Sequence, residues 1–293
     1  MQNWKSEARR LKFIDGGSWT EVAAIIRARY FQDEEPQKIH EKVRSYLRGT
    51  QEYRTVKQGS TAEQSKGGQI VGVISDLHSP FIKDSYFDFV KDTFKQHKVT
   101  DVVFIGDIVD LHSISRHMTE PSARGAHQEY VMAYEALRPF VKAFPEAKVC
   151  RGNHDNIVER QMATLGMPAV FVKSFKELWG LPDTWEIDSQ FVIDNVYYHH
   201  GLGAGGVNGA INKALNERMS VVQGHQHTVF NIDYRANQRD IIFGMSVGSG
   251  IDNTQYSFEY GKYNSRKPII GCGIVRSSSD AQLVPMPEHY FRT

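Results

Sequence analysis

Short apolar runs alternate with amphipathic segments over the middle of the chain. The runs at 70–74, 102–105 and 147–150 are almost wholly apolar, which is typical of strands buried on both faces. Between them, the segments 84–98 and 127–144 repeat apolar residues at spacings of three and four, which predicts helices that bury one face. This alternation predicts an α/β arrangement around a mainly parallel sheet.

The pattern becomes rich in strands after Pro182. Helices are expected to fill 155–179, and one further helix is predicted near 208–217. Short apolar or alternating runs recur at 185–188, 191–193, 196–199, 219–223, 229–234, 240–246, 269–275 and 281–285. We therefore expect an α/β half followed by a β-rich half, with both halves contributing to one site.

The first 50 residues have a purely helical pattern. Ser18 to Glu21 resembles a capping box, and Pro36 is suited to the first turn of a later helix. Apolar residues recur at helical spacing at Trp19, Val22, Ala23, Ile26 and Tyr30, and again at Ile39, Val43 and Leu47. Residues 51–68 are polar and rich in Gly, Ser, Gln and Lys, as in a flexible linker. The sequence thus predicts a helical domain (1–50), a linker (51–68) and a main domain (69–293).

Charge is distributed unevenly between these parts. The whole chain of 293 residues has a formal net charge of +1, but residues 1–66 carry +4 and the remainder carries −3. Three short helices ending in a basic one (Lys38, Lys42, Arg44 and Arg48) resemble a helix-turn-helix unit, whose last helix would enter a groove of nucleic acid. A small helical cap or a dimerisation arm is the alternative, and the sequence leaves both open.

The cysteines and the length of the apolar stretches also bear on the cellular compartment of the protein. Cys150 and Cys272 lie in apolar runs without CxxC spacing, so we expect buried, reduced thiols. The first residues contain no apolar core of a signal peptide, and no stretch reaches 18 apolar residues. We therefore expect a cytoplasmic protein that does not bind membranes.

Four short strings of sequence are rich in polar residues of the types that bind metal ions. They are Asp76-Leu77-His78, Gly106-Asp107-Ile108-Val109-Asp110, Gly152-Asn153-His154-Asp155 and Gly224-His225-Gln226-His227. Each string, and also His200, follows a predicted strand, so loops at the carboxyl ends of strands could bring them to one point. The glycines that precede the ligands are expected to allow a sharp backbone path.

The residue types in these strings suit a pair of divalent metal ions. Carboxylate, imidazole and amide oxygen ligands without thiolate favour Mn²⁺, with Fe, Zn²⁺ or Ni²⁺ as alternatives. One carboxylate can bridge two ions about 3.5–4 Å apart, and such a pair activates water against a phosphate ester. The sequence therefore predicts metal-assisted hydrolysis of a phosphate ester.

The set Asp-x-His, Gly-Asp-x-x-Asp, Gly-Asn-His-Asp, His-Gly and Gly-His-x-His resembles the motifs of the calcineurin-like metallophosphoesterase superfamily. The resemblance spans most of residues 69–285 and implies a four-layer α/β/β/α sandwich of two mixed sheets. It implies that Asp76, His78 and His227 hold one metal ion, that Asn153, His200 and His225 hold a second, and that Asp107 bridges the two.

The resemblance also implies roles outside the ligand set. His154 would protonate the leaving alkoxide or bind the phosphate, and a hydrogen bond from Asp110 would orient His154. His-Gly is the family string, so His200 is favoured over His199 as the ligand. Arg116, His112 and Arg151 are weaker candidates for contact with the substrate, because they lie beside the motifs.

The chain differs from the protein phosphatases of this superfamily at two motif positions, and these differences bear on its substrate. Protein Ser/Thr phosphatases of this superfamily carry Arg-Gly where this chain has Leu111-His112, and Glu where it has Asp155, although Arg151 does match their pattern. Gly-Asn-His-Asp is more typical of nucleases and phosphodiesterases, so nucleic acid is the leading substrate. The alternatives are a phosphomonoesterase, including protein phosphatases, a cyclic-nucleotide phosphodiesterase, and a nucleic-acid-binding protein with a vestigial phosphoesterase body. The sequence leaves endo or exo action and oligomeric state open.

Overall fold

The chain divides into two compact units, Met1–Glu63 and Gln64–Thr293. The computed structural model describes residues 4–13, 19–48, 68–115, 124–171, 173–252, 254–255 and 265–291. The predicted linker (51–68) and the predicted cap at Ser18 lie outside the described residues, except for Gly68.

The described residues of the first unit form three helices, α1 (Trp4–Phe13), α2 (Trp19–Tyr30) and α3 (Pro36–Arg48). Their contact faces bury a small apolar core made of Ala8, Val22, Ala23, Ile26, Ile39, Val43 and Leu47. Apart from Trp19, whose side chain is outside the described part, the apolar stripes on α2 and α3 are those that the helical spacing predicted. Burial of these stripes is the main source of stability for helices this short.

Basic side chains of α3 lie close to an acidic neighbour. Lys38 Nζ is 2.9 Å from Glu34 Oε2, and Lys42 Nζ is 3.8 Å from Glu34 Oε1. Lys42 also lies over the ring of Phe31, at 4.0 Å from its centroid. Arg44 is exposed, and the side chain of Arg48 is outside the described part. Glu34 thus offsets part of the positive charge on α3, and contact with nucleic acid stays a prediction.

The described part of the second unit contains two mixed sheets. Their strands are β1 (Val71–Ile74), β2 (Asp101–Phe104), β3 (Ala147–Cys150), β4 (Trp185–Asp188), β5 (Gln190–Ile193), β6 (Val196–His199), β7 (Ser220–Gln223), β8 (Phe230–Ala236), β9 (Ile241–Val247), β10 (Gly271–Ser277) and β11 (Asp280–Pro285). The six-stranded sheet has the order β11-β10-β1-β2-β3-β4, in which β1 to β4 are parallel and β10 pairs antiparallel with both β1 and β11. The five-stranded sheet has the order β5-β6-β7-β9-β8, in which β6, β7 and β9 are parallel.

The sheets pack face to face with helices outside. Alternation along the strands directs Val73 and Val103 to the core between the sheets, and Ile74 and Phe104 to the core under the helices. On the far face of the second sheet, a helix packs against Tyr197 through Ile211 and Ala214. The helices in the described residues of this unit are α4 (Tyr86–Gln96), α5 (Ala126–Ala143), α6 (Ile157–Thr164), α7 (Phe175–Trp179) and α8 (Gly209–Glu217), with 3-10 turns at His112–Ile114, Ala169–Phe171 and Glu288–Phe291.

The predicted four-layer α/β/β/α sandwich is therefore confirmed. The strands lie within two residues of their predicted bounds, and the helices predicted for 155–179 are two short helices and a 3-10 turn. Cys150 and Cys272 are free and buried. In the part of the chain that is described, no helix has both the length and the apolar character needed to cross a bilayer.

Candidate metal centre

Loops from both sheets meet at the carboxyl ends of the parallel strands. The N–H of His78, after β1, donates to the carbonyl of Asp107, after β2, at 2.9 Å. The N–H of His225, after β7, donates to Asp76 Oδ2 at 2.9 Å, which ties the second sheet to the first. Strand exits that are far apart in sequence therefore converge, as expected for ligand sites in α/β sheets.

Four of the predicted ligands have unusual backbone conformations. Asp76, His78, Asp107 and His225 have φ values of 48°, 47°, 48° and 65°, in the left-handed region. For residues other than glycine this conformation is uncommon and costs of order 1–3 kcal/mol each, so it persists where the surrounding structure enforces it. Its concentration at these positions indicates that the fold aims these side chains at one point.

The motif glycines serve two different purposes. Gly106 has a φ of +92°, as the predicted sharp path requires. Gly152 and Gly224 do not have positive φ, so for them that expectation was wrong. They are needed for close approach, because a Cβ on Gly152 would overlap Asp107 Oδ1 and one on Gly224 would overlap Ser75 Oγ.

The first predicted ligand group comes together around Asp76. Asp76 Oδ1 lies 3.2 Å from His227 Nε2 and 3.9 Å from His78 Nε2. The Nε2 atoms of His78 and His227 are 3.2 Å apart. All three ligand atoms lie within 4.8 Å of one another, so one ion would fit among them.

The second group comes together around His200. Its Nε2 lies 3.1 Å from Asp107 Oδ2, 3.1 Å from His225 Nδ1 and 3.1 Å from Asn153 Oδ1. His199, its neighbour in sequence, points to the opposite face, where its ring packs on Tyr197 at 5.2 Å. The chain therefore brings His200 to the site and excludes His199.

Asp107 is the residue that both groups share. Its Oδ2 lies 3.1 Å from His200 Nε2 and 3.7 Å from His78 Nε2. Its Oδ1 accepts the backbone N–H of His154 at 2.8 Å. Asp107 would therefore be the residue that the two ions share, and its Oδ2 is the oxygen that lies near ligand atoms of both groups.

The charges at the centre also fit divalent cations. Asp76 and Asp107 are buried, and their ion pairs in the described part of the chain are all with histidines. Burial lowers the pKa of His200, but the Asp107 carboxylate outweighs burial and raises the pKa to about 9. The carboxylates likewise raise the pKa of His78 well above its usual value, against the effect of its burial. Buried carboxylates need compensating positive charge, which bound cations would supply in exchange for these protons.

Hydrogen bonds from the far ring nitrogens set which atoms face the centre. His78 Nδ1 lies 2.5 Å from Asp110 Oδ1, and His200 Nδ1 lies 2.9 Å from the carbonyl of Ile105. Each Nδ1–H therefore donates outward and leaves Nε2 for a metal ion. The predicted role of Asp110 needs correction, since its carboxylate binds His78 in preference to His154. The reason is that His78 and Asp110 lie on neighbouring loops that pair side by side.

His154 is held by the backbone of Asp110 instead. Its Nδ1 lies 2.6 Å from the Asp110 carbonyl oxygen and 3.4 Å from Asp110 Oδ1. The His154 side chain keeps 18% of its surface exposed, more than the 2% of His78. Its ligand atom also lies within 4.8 Å of those of His78 and Asp107. His154 therefore occupies the open side of the centre, where a substrate would enter.

Two of the three weaker candidates lie in the described part of the chain, and neither belongs to the ligand groups of the centre. Arg151 is turned away, because its Nη2 donates to the Asp155 carbonyl at 2.7 Å and to Glu159 Oε1 at 2.6 Å. His112 is buried, and its N–H donates to Glu129 Oε1 at 2.7 Å. Arg116 lies outside the described residues. The structure thus contradicts contact of Arg151 with a substrate at the metal centre, and it makes His112 a buried loop residue.

Asp155 has a structural role that the sequence reasoning missed. Its buried carboxylate accepts the N–H groups of Asp107 at 2.9 Å, Ile108 at 3.0 Å and Gly152 at 2.7 Å. Burial and the Asp107 carboxylate raise the pKa of Asp155 to about 6, so it is still ionised at neutral pH. The available signal was an Asp three residues after Gly152, the spacing of side chains that close local turns. Asp155 joins the two loops that carry Asp107 and Asn153.

We expect Asp155→Asn to destabilise the fold. Asn offers one acceptor oxygen and turns an N–H₂ group toward backbone donors, so at least one charged hydrogen bond is lost and one N–H is left unpaired. The cost should be about 3 kcal/mol, or roughly 6–12 °C in the melting temperature of the metal-free protein followed by circular dichroism. Asp188→Asn, at an exposed carboxylate, is the matched control. An Asp155→Asn protein that melts with the wild type would contradict this role.

Comparison with known proteins identifies relatives at the family level. Residues 70–243, more than half of the chain, match the family model described as calcineurin-like phosphoesterase. No curated protein matches the sequence. Similar solved structures include Vps29 of Entamoeba histolytica complexed with Zn²⁺, with 13% identity, coverage of 75% of this chain and 100% of that chain, and a TM-score of 0.36. They also include the phosphoesterase YfcE of E. coli, with 16% identity, coverage of 75% and 100%, and a TM-score of 0.34. A metallophosphoesterase of Sphaerobacter thermophilus has 15% identity, coverage of 75% and 89%, and a TM-score of 0.36.

Proposed function

Because this chain belongs to the calcineurin-like phosphoesterase family, we propose that it is a dinuclear metal-dependent hydrolase that cleaves phosphodiesters of nucleic acid. The observation that carries the proposal is the position of Asp107 Oδ2 between His78 Nε2 and His200 Nε2. A buried carboxylate oxygen shared by two ligand groups is the arrangement that a pair of metal ions requires.

The residues of the centre would have separate roles in metal binding and in proton transfer. Asp76, His78 and His227 would hold one ion, and Asn153, His200 and His225 would hold the other, with Asp107 shared. When bound, the ions would lower the pKa of a water molecule and offset negative charge on the phosphate. His154 would bind the substrate from the open side and hold, at Nε2, the proton that the leaving oxygen takes. Its Nδ1–H stays on the Asp110 carbonyl, which fixes the direction of the ring.

Nucleic acid is supported by two features. The first unit presents the exposed basic side chains Lys38 and Arg44 on α3, which suit a polyanion even though Glu34 offsets part of that charge. The string that ends in Asp155 departs from the Glu of protein phosphatases. Neither feature indicates a phosphomonoester, so a diester is the substrate class that we favour.

The test compares four substrates with the full-length protein loaded with Mn²⁺. These are bis-p-nitrophenyl phosphate, p-nitrophenyl phosphate, and labelled single-stranded and double-stranded DNA. We expect hydrolysis of the diester and of at least one DNA, and loss of both activities in EDTA because the buried carboxylates then lack their cations. Mg²⁺, Zn²⁺ and Ni²⁺ loaded in parallel identify the metal that supports the highest rate.

Other outcomes would redirect the proposal. Hydrolysis of p-nitrophenyl phosphate alone would establish a phosphomonoesterase. A protein that binds two equivalents of metal but cleaves no ester would favour a nucleic-acid-binding protein with an inactive phosphoesterase body. If Lys38→Glu and Arg44→Glu together leave DNA binding and its salt dependence unchanged, the helical unit is not part of the nucleic-acid site.

A further inference from the structure

An exposed arginine lies against the backbone of a predicted metal ligand. Arg160, on α6, donates from Nη2 to the carbonyl oxygen of Asn153 at 2.6 Å. Asn153 presents its side-chain oxygen to His200, and the next residue is His154. The exposed guanidinium of Arg160 is therefore held against the backbone of a predicted metal ligand, one residue before the candidate proton donor.

The surroundings leave this cation available to an anion. Within the described residues, the Nε and Nη1 of Arg160 make no hydrogen bond. Glu159, the adjacent acid, forms an ion pair with Arg151 at 2.6 Å. A guanidinium with one N–H fixed on a carbonyl is restrained in position while its remaining N–H groups can bind phosphate oxygens.

We propose that Arg160 binds the phosphate next to the scissile one in a polynucleotide, on the leaving-group side. This inference rests on the proposed function and makes it more specific. The scissile phosphate belongs at the metal centre, and His154 faces its leaving oxygen. A chain that continues past that oxygen carries another phosphate, and it would leave the centre over Asn153 and Arg160. Arg160 would then favour polynucleotides over small diesters, which lack a second phosphate.

The test compares Arg160→Ala and Arg160→Lys with the wild type. Arg235→Ala is the matched control, because Arg235 is also exposed and donates to a backbone carbonyl, at 2.8 Å, on the distant part of β8. Binding of a labelled single-stranded oligonucleotide is measured in EDTA over a series of salt concentrations. We expect Arg160→Ala to weaken binding about 3- to 10-fold and to reduce the slope of log K against log salt by about 0.7, the value for one phosphate contact. Arg160→Lys should recover most of the slope.

Activity provides the second measurement. In the Mn²⁺-loaded protein, Arg160→Ala should raise KM for the oligonucleotide by a similar factor and change kcat/KM for bis-p-nitrophenyl phosphate less than twofold, since that diester has no second phosphate. An equal loss on both substrates, an unchanged salt slope, or a lower melting temperature without the slope change would overturn the inference. If the wild type cleaves no ester, the proposed function fails, and the salt slope in EDTA still decides whether Arg160 contacts phosphate.

Discussion

Asp107→Asn is expected to remove the metal centre while leaving the fold intact. Asn keeps an acceptor oxygen for the His154 N–H, so the loop contact at 2.8 Å can persist. It loses the charge on Oδ2, the atom that lies between the two ligand groups. Several kcal/mol of electrostatic stabilisation depend on the ions, so the rate should fall about 10³- to 10⁵-fold. Metal analysis of the purified protein should show loss of ions from both sites.

Two controls separate this effect from general damage. Asp76→Asn touches only the first ligand group, so it should lower the metal content by less than Asp107→Asn does. Asp101→Asn changes a carboxylate at the opposite end of β2, and metal content and rate should stay at wild-type values. An Asp107→Asn protein that retains both ions would show that this carboxylate does not bridge them.

His154→Ala is expected to lower the rate by an amount that depends on the leaving group. A general acid contributes about 10²- to 10⁴-fold, and it is needed when the departing oxygen is a strongly basic alkoxide. p-Nitrophenolate departs without a proton, so bis-p-nitrophenyl phosphate should be affected much less than DNA. Metal content should be unchanged, because the predicted ligand groups are complete without His154.

The leaving-group comparison distinguishes the two roles considered for His154. If the imidazole only binds the phosphate, the loss will be the same for the nitrophenyl diester and for DNA. His127→Ala, at an exposed histidine at the start of α5, is the control for removal of an imidazole. Loss of both ions from the His154→Ala protein would contradict the separation of His154 from the metal ligands and would place it among them.

Much of the candidate centre could be predicted from the sequence because its residues follow buried strands. Asp76, Asp107, Asn153, His200 and His225 each come after a short apolar run, and the carboxyl ends of parallel strands meet at one edge. Apolar periodicity also fixed the strands to within two residues, since burial on both faces leaves few alternatives. The choice of His200 over His199 followed from the family string, and strand alternation is the physical reason that the two side chains diverge.

The hydrogen-bond partners of individual side chains differed from those expected from the sequence. Asp110 was expected to orient His154, but its carboxylate lies on His78 at 2.5 Å, and its carbonyl holds His154. Arg151 was a weaker candidate for contact with the substrate, and Glu159 and the Asp155 carbonyl hold its guanidinium elsewhere. Arg160, which lies in no motif, is instead the arginine placed beside Asn153.

The four-layer arrangement was implied by the family resemblance. The sequence by itself determined the alternation of strands and helices, the order of the ligand loops and the donor types that suit a pair of cations. These features depend on local periodicity and on residue chemistry, which the chain carries in its order. The tertiary structure alone decided that Asp107 Oδ2 lies between the two ligand groups, that Asp155 joins two loops and that Arg160 contacts the backbone of Asn153. Such contacts depend on how loops from different strands pack against one another, and neighbours in sequence do not encode that packing.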